Sequence, residues 1–336
     1  MNMKREGILL VLVAVVLLST LGGCETGITH ITDSERKLMT GEAKIDEPKA
    51  EPTKVPVKTD GTRSLESPIF LGTNLPTIKD GDHDLGITLD FTYATSHMWK
   101  GFDLFPNNRS AFYTSADIDF WGTGFGMNFL WARPFGSGYE DWEWLVYSPY
   151  YYNALWQDTP YQMDYRLGWR YYNYPDGPAN SSCVNHPYDL DIQRVYGRFS
   201  WPRVCSRGFV PYYECAAIWP DEGGKYDDGC SKSYWNDGWF HTFGISKGWM
   251  VPGFFPCQPE QQVIHTGFEI VYNDGVGSTP DSVDSGWSHC VFSLSTEFYL
   301  RPNITFIPAI YYQSSWEDSV NEDDECWATM SVRLTF

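Results

Sequence analysis

The chain has 336 residues, of which 42% are hydrophobic and 17% aromatic, and its formal net charge at pH 7 is −19. Such acidity excludes a nucleic-acid binder as the first interpretation, because the sequence offers no basic patch that would neutralise phosphates. Beyond the N-terminal region no apolar run is long enough for a transmembrane helix, so a membrane location would require β-strands.

The N-terminus is predicted to be an export signal. A short basic stretch precedes an apolar run over residues 8–18, which is shorter than a membrane-spanning helix needs. The following Leu-Gly-Gly-Cys at 21–24 looks like a bacterial lipobox. We therefore predict a signal peptide over 1–23 and lipidation of Cys24. An ordinary signal peptide with a cysteine near its cleavage site is the alternative.

Residues 24–84 are predicted to be the lipidated N-terminus followed by a disordered periplasmic linker. The segment mixes lysine and glutamate, has almost no aromatic residues, and contains Pro48, Pro52 and Pro56. Such a composition cannot bury enough apolar surface to offset the entropy lost on ordering.

Residues 85–336 are predicted to form the folded domain, and their strands alternate between two kinds of side chain. Between Leu85 and Thr95, for example, Phe91 and Tyr93 share one face and Asp90 lies on the other. Charges opposite an aromatic face are typical of strands that separate a wet lumen from lipid.

The terminal segment from Cys326 to Phe336 alternates in the same way and has the length of a tilted membrane-crossing strand. It resembles the closing strand of bacterial outer-membrane barrels, in which the C-terminal aromatic residue also signals to the barrel assembly machinery. Phe336 is therefore predicted to be that signal, although any half-buried sheet also alternates.

The pattern predicts an all-β, antiparallel, up-and-down transmembrane barrel of about twelve strands, with ten to fourteen possible. Long polar connections follow the odd strands and short ones follow the even strands, as in outer-membrane barrels. One connection, Lys247 to Gln261, is long where it should be short. The predicted strands lie near 85–96, 111–121, 124–132, 142–155, 161–173, 189–200, 208–219, 235–246, 262–273, 289–300, 302–313 and 325–336.

Tryptophan and tyrosine near the predicted strand ends are expected to form belts at the two membrane interfaces. The members considered include Trp99, Trp144, Tyr172, Trp239 and Trp287. A carbohydrate-binding β-protein with exposed sugar platforms is the alternative explanation.

A family resemblance adds to this interpretation. The segment Thr92–Asp103, with Tyr93, Trp99, Lys100 and Gly101, resembles the first-strand signature of the TorF-like porin family, and Ser115–Gly126 is also similar to it. The resemblance implies an outer-membrane barrel without specifying a solute. The family usually carries arginine where this chain has Lys100.

The seven cysteines after Cys24 are expected in an oxidising compartment. Cys183 and Cys230 fall in two predicted external loops and are the disulfide candidates, while Cys290 and Cys326 are candidates for a free thiol. No Cys-x-x-Cys pair is present, so no metal centre and no cofactor are predicted. Acidic loops such as that around Asp227 are expected to be solvated surface, with calcium binding as the alternative.

We predict an outer-membrane channel through which small solutes or ions diffuse passively, with a weak cation preference because carboxylates outnumber arginines among the inward candidates. Its partners would be outer-membrane lipid and the assembly machinery, with both termini periplasmic. The predicted pore-lining residues are Asp90, Asp117, Asp119, Asp164, Arg166, Arg170, Glu269, Glu297 and Arg333.

Two other classes stay open. A barrel protease or lipase would need a nucleophile beside a base, yet the sequence has no G-x-S-x-G or H-E-x-x-H motif, and His97, His241 and His265 have no local acid cluster. No catalytic residue is therefore assigned. A non-channel surface protein that binds a ligand through its long external loops is the third possibility.

Overall fold

The computed structural model of the chain describes residues 84–104, 110–135, 143–175, 189–223, 231–254, 261–277, 285–316 and 323–336. Within these ranges it contains β-strands, turns and irregular segments, and no helix there is long and apolar enough to cross a membrane. The predicted signal peptide, Cys24, nearly all of the linker, and Cys183 and Cys230 lie outside the described residues.

Thirteen of the strands belong to one sheet, and the short β2 and β3 form a separate hairpin. The strands are β1 Gly86–Ala94, β2 Met98–Trp99, β3 Phe102–Asp103, β4 Ala111–Asp119, β5 Phe125–Pro134, β6 Trp144–Leu155, β7 Met163–Asn173, β8 Ile192–Ser200, β9 Phe209–Pro220, β10 Gly238–Pro252, β11 Gln261–Asp274, β12 Gly286–Thr296, β13 Phe298–Arg301, β14 Ile304–Ser315 and β15 Glu325–Thr335.

The sheet closes on itself. The first strand, β1, pairs with the last, β15, and places Asp90 opposite Arg333. β12 and β13 both pair with β14 and form one barrel strand interrupted at Glu297. Every neighbour is antiparallel, which confirms the predicted up-and-down barrel of twelve strands. Closure removes the two free edge strands that an open sheet would have.

The connections divide between the two ends of the barrel. Those after β1, β5, β7, β9, β11 and β14 are long and lie at what we call the loop end. The shorter connections, the start of β1 and the end of β15 lie at the opposite, turn end.

The connection expected between Lys247 and Gln261 is shorter than predicted, because residues 247–252 still belong to β10, so its predicted start was wrong. β10 continues to Pro252, which pairs with Gln261, whereas its pairing with β9 stops at Lys247. The irregular composition of this segment did not reveal that β10 and β11 stay paired beyond the end of β9.

The two faces of the barrel differ in polarity. Side chains on the inward face are largely buried, and many are polar or charged. Large apolar side chains on the outward face are exposed, as expected for strands that alternate with period two. Examples are Phe91, Phe125, Phe129, Leu167, Trp169, Val195, Phe243, Ile245, Phe292, Leu294 and Val332.

The structure divides the aromatic residues between an outer surface and an inner one. Trp239 and Trp287 are exposed outward, as a belt requires, but Trp99, Trp144 and Tyr172 are buried. The belt prediction was therefore wrong for these three residues. An aromatic residue at a strand end has the same sequence pattern whether its side chain lies at the membrane interface or packs inside the barrel.

Three glycines on the inward face leave room for tyrosine rings from the neighbouring strands. The cross-strand pairs are Gly126 with Tyr150, Gly168 with Tyr196, and Gly244 with Tyr212. A Cβ at Gly244 would lie 2.1 Å from Cζ of Tyr212, a distance that no real contact allows. Each ring thus lies flat over backbone that only glycine exposes.

We expect Gly244→Ala to destabilise the barrel by about 1–3 kcal/mol, because the added methyl group must displace a packed ring. Gly286→Ala is the matched control, since nothing lies within 4 Å of its Cβ position, and its effect should stay within about 0.5 kcal/mol. Urea unfolding in detergent measures both variants. Equal midpoints for the two would show that the Tyr212 ring moves freely.

Candidate functional site in the barrel lumen

The connection after β1 folds into the barrel. β2 and β3 pair Met98 with Asp103 and Trp99 with Phe102, which leaves a two-residue turn. Its residues Lys100 and Gly101 have φ angles of 49° and 94°, as a type I′ turn requires. The sequence predicted that the segment from Gly101 onward is an external loop. For Gly101 to Leu104 that prediction was wrong. We call residues 95–104 the lumen hairpin.

Aromatic packing holds the lumen hairpin at the loop end. The Trp99 ring is 3% exposed and meets Tyr172, Trp235 and Phe240 edge-on, with centroids 5.9, 5.5 and 6.3 Å away. Met98 packs separately, in a cluster on the opposite wall that includes Trp327. Large buried rings of this kind dominate packing energy, so the hairpin is anchored on both sides.

His97 belongs to this packing. Its Nδ1 shares a hydrogen bond with the Tyr113 hydroxyl, and its ring meets Trp144 edge-on at 5.1 Å. Burial lowers the pKa of His97 to about 3, so the imidazole is neutral at neutral pH. The motif residue Tyr93, by contrast, lies on the outward face of β1, beside Phe135.

The tip of the lumen hairpin is tied to the wall by polar contacts. Nζ of Lys100 lies 3.2 Å from Oε1 of Glu214 on β9 and 5.9 Å above the Phe240 ring. On the other side of the tip, the Gln313 amide donates a hydrogen bond of 2.9 Å to the Gly101 carbonyl. A small cavity beneath the tip is also lined by Glu269 and His289.

Glu214 is the carboxylate on which three cations converge. Besides Lys100, Arg194 donates a hydrogen bond to its Oε1, and Nη1 of Arg198 lies 3.8 Å from its Oε2. Sequence reasoning missed these three strand residues. The pattern that could have revealed them is their alternation with Tyr196 on β8 and with Tyr212 on β9, at every second position. It was not recognised because this inward face mixes charged with aromatic side chains.

Other ion pairs and hydrogen bonds lie closer to the turn end. Arg166 pairs with Asp117 at 3.7 Å, and Arg333 pairs with Asp90 at 3.0 Å. Tyrosine hydroxyls donate to Asp117 and to Asp119 on the same strand, from Tyr150 and Tyr152 respectively. The lumen therefore contains paired charges at several levels.

Eight of the nine predicted pore-lining residues lie on inward faces, and their role in a pore stays a prediction. Glu297 differs, because it lies in the break between β12 and β13, where the exposed Tyr299 donates a hydrogen bond to its carboxylate. The inward eight are Asp90, Asp117, Asp119, Asp164, Arg166, Arg170, Glu269 and Arg333.

Side chains fill the lumen at the level of Glu214. Glu214 and Arg194 are each 1% exposed, so almost none of their surface is accessible to water. Nearer the turn end, the side chains of Arg333 and Asp90 retain 13% and 12% exposure. In the described part of the barrel, the lumen is therefore more tightly packed around Glu214 than around the Arg333–Asp90 pair nearer the turn end.

The cysteines and acidic residues that the structure describes form no further site. Cys205, Cys215, Cys290 and Cys326 are free thiols. Within the described ranges no three His, Cys, Asp or Glu side chains are placed to hold a metal ion. Asp324, from the last acidic loop, instead accepts a hydrogen bond from Tyr312 at 2.6 Å.

Comparison with known proteins yields structural likeness alone. No family model matches the chain, and no curated protein does. Solved structures that match include a "KdgM porin" (10% identity, 75% of this chain and 99% of that chain, TM-score 0.40), an outer membrane channel from Pseudomonas putida F1 (8%, 78% and 98%, TM-score 0.46) and LpxR from Salmonella typhimurium (11%, 74% and 100%, TM-score 0.41). At such identities the likeness concerns the fold and carries no inference about activity.

Proposed function

We propose that this chain is a bacterial outer-membrane channel of the porin type, through which small solutes or ions diffuse passively. The sequence supports export by the signal over 1–23, lipidation at Cys24, and a periplasmic linker before the barrel. The turn end, where β1 starts and β15 ends, would then face the periplasm, and Phe336 would be read by the assembly machinery. The TorF-like resemblance supports the same interpretation.

The observation that carries the proposal is the polarity of the closed barrel. Its outward face exposes apolar side chains such as Phe292 and Leu294, while its inward face holds ion pairs such as Arg333 with Asp90. That arrangement is the reverse of a soluble β-protein and suits hydrocarbon outside with a polar passage inside. Twelve strands enclose more space than the side-chain-filled eight-stranded barrels do.

Passage would be controlled by the lumen hairpin. Its anchors are Trp99 and the Lys100–Glu214 pair, and they block the loop-end half in the closed state. A channel built this way conducts when the hairpin leaves the wall, so we propose a narrow, intermittently open pore.

The weak cation preference stays a prediction on a changed basis. It rested on an excess of acid among the inward candidates, and that count lacked Arg194, Arg198 and Lys100 as well as the carboxylate of Glu214. With these four included and Glu297 left out, the residues counted hold as many carboxylates as cations, so any preference should be small.

Planar-bilayer recording of the purified full-length protein tests the channel. We expect discrete conductance steps separated by long closed periods, and a reversal potential near zero in a KCl gradient. A silent protein, both as wild type and after replacement of the lumen hairpin, would contradict the proposal.

The closed lumen also favours a second candidate, a non-channel barrel in which the hairpin is a permanent plug. Its supporting observation is the near-complete burial of Arg194 and Glu214. The same recordings separate the two, because a permanent plug gives no openings in the wild type and full conductance only once the hairpin is replaced.

A further inference from the structure

A lysine side chain on the outward face of β10 lies between two aromatic rings. Nζ of Lys247 is 4.3 Å from the centroid of the Phe209 ring on β9 and 3.9 Å from that of Trp249 on its own strand. The two rings meet edge-on, with centroids 6.3 Å apart. A cation is attracted to the faces of aromatic rings, so the ammonium is held at this position. We call these three residues the Lys247 cage.

Contacts within the sheet fix the geometry of the Lys247 cage. Lys247 lies directly opposite Phe209 on one side and directly opposite Thr266 on the other. Nε1 of the Trp249 indole donates a hydrogen bond of 2.9 Å to Oγ1 of Thr266, which sets the orientation of that ring. Trp249 is nevertheless 43% exposed, and Lys247 is only half-buried. The cage is therefore ordered by the sheet and accessible from outside the barrel.

The Lys247 cage lies at the turn-end boundary of the apolar outward surface. Trp239 and Trp249 both face outward on β10, and the ten residues between them span about 33 Å along the strand. At a tilt of about 40° this is about 25 Å along the barrel axis, the height of the apolar band in outer-membrane barrels. Phe243 and Ile245 are exposed within that band. Trp249 thus lies at the headgroup level, which the Lys247 ammonium reaches along its apolar stem.

The charges around the Lys247 cage favour an anionic group, although the whole chain is acidic. The connection before β9 carries Arg203 and Arg207, both exposed, and Arg203 pairs with Asp158. Within the described part of the chain, the Lys247 ammonium contacts aromatic rings rather than carboxylates. A cation beside hydrocarbon is stabilised by a negative partner, and phospholipid headgroups supply phosphate at this depth.

We propose that the Lys247 cage binds the phosphate group of a phospholipid in the leaflet at the turn end. An ammonium has three N–H groups, so contacts with two rings leave at least one for a phosphate oxygen. The acyl chains of this lipid pack on the exposed Ile245 and Phe243. The site goes beyond the proposed function, since it concerns the membrane around the barrel, and it rests on that function only for the membrane location.

Native mass spectrometry of the folded full-length protein in detergent tests the site. The probe is short-chain phosphatidylglycerol, and diacylglycerol with the same acyl chains is the matched lipid without phosphate. We expect one phosphatidylglycerol to bind about tenfold or more tightly than diacylglycerol, and Lys247→Gln to remove that advantage, because it loses one charge-assisted hydrogen bond. Lys247→Arg, which keeps the cation, should retain most of the affinity.

Arg203→Gln is the matched control at the same end of the barrel. The Arg203 charge is already paired with Asp158, so its loss should leave lipid binding unchanged. Heat-modifiable gel migration checks that every variant is folded. Equal affinity in wild type and Lys247→Gln, or displacement of the lipid by excess inorganic phosphate, would overturn the site. Because this assay requires no conductance, a protein that conducts without binding the lipid refutes the site alone, and one that binds without conducting refutes the channel alone.

Discussion

Replacing Met98–Asp103 by a glycine-serine segment of equal length should turn intermittent openings into a permanently conducting pore. The replacement removes Trp99 from its contacts with Tyr172, Trp235 and Phe240, and it removes Lys100 from Glu214. Thr95 and His97 keep their own contacts with the wall, but the replaced residues lose theirs, and a flexible segment loses entropy if it stays inside. Single-channel recording in planar bilayers measures the change.

A milder variant separates the ionic contact from the aromatic one. Lys100→Met keeps the length and packing of the side chain but loses a charge-assisted hydrogen bond worth about 1.5–3 kcal/mol. If that bond exists only in the closed state, the ratio of open to closed time should rise about tenfold or more. Heat-modifiable gel migration confirms that both variants fold. An unchanged open probability in Lys100→Met, together with an unchanged conductance after hairpin replacement, would rule out control by the hairpin.

The second large effect is expected at Glu214. Glu214→Gln is nearly isosteric, but it leaves Arg194, Arg198 and Lys100 in one buried cluster without the shared carboxylate. Removing one partner of a buried ion pair costs about 3–5 kcal/mol, because the other charges stay desolvated. We expect the free energy of unfolding to fall by that amount. Urea unfolding of the protein in lipid vesicles measures it, with tryptophan fluorescence as the signal.

Two further variants control the experiment. Glu222→Gln removes an exposed carboxylate and should change stability by no more than about 0.5 kcal/mol. Glu214→Gln combined with Arg194→Gln removes one charge of each sign and should recover part of the loss, since the two residues are coupled. If Glu214→Gln were as stable as Glu222→Gln, the cluster could not be the main ionic contact of the lumen.

Much of the barrel could be predicted because its signals are local. β15 alternates as the sequence from Cys326 to Phe336 predicts, and its partner β1 meets it with Asp90 opposite Arg333. The alternation was weakest around β8, whose inward residues include both Ile192 and Arg194. There the inward face is neither uniformly polar nor uniformly apolar, because the lumen hairpin packs inside the barrel.

The candidate site was predictable only in part. Arg166 and Arg170 could be assigned to the inward face from their own strand, which alternates clearly. Glu214 could not, since its neighbours Tyr213 and Cys215 give no contrast of polarity with Tyr212 and Ala216. The charge selectivity was inferred from residues on clearly alternating strands, such as Arg166 and Arg170. It therefore left out Arg194, Arg198 and Lys100, which contact Glu214.

By itself, the sequence determined the all-β class, a count of about twelve strands, and the alternation of long and short connections. These follow from period-two alternation and turn residues, which act over a few positions of the chain. Only the tertiary structure decided that residues 95–104 turn inward and that Lys100 meets Glu214, 114 positions away. The physical reason is that a contact between residues so distant in the chain depends on closure and on the stagger of every intervening strand, which no local pattern encodes.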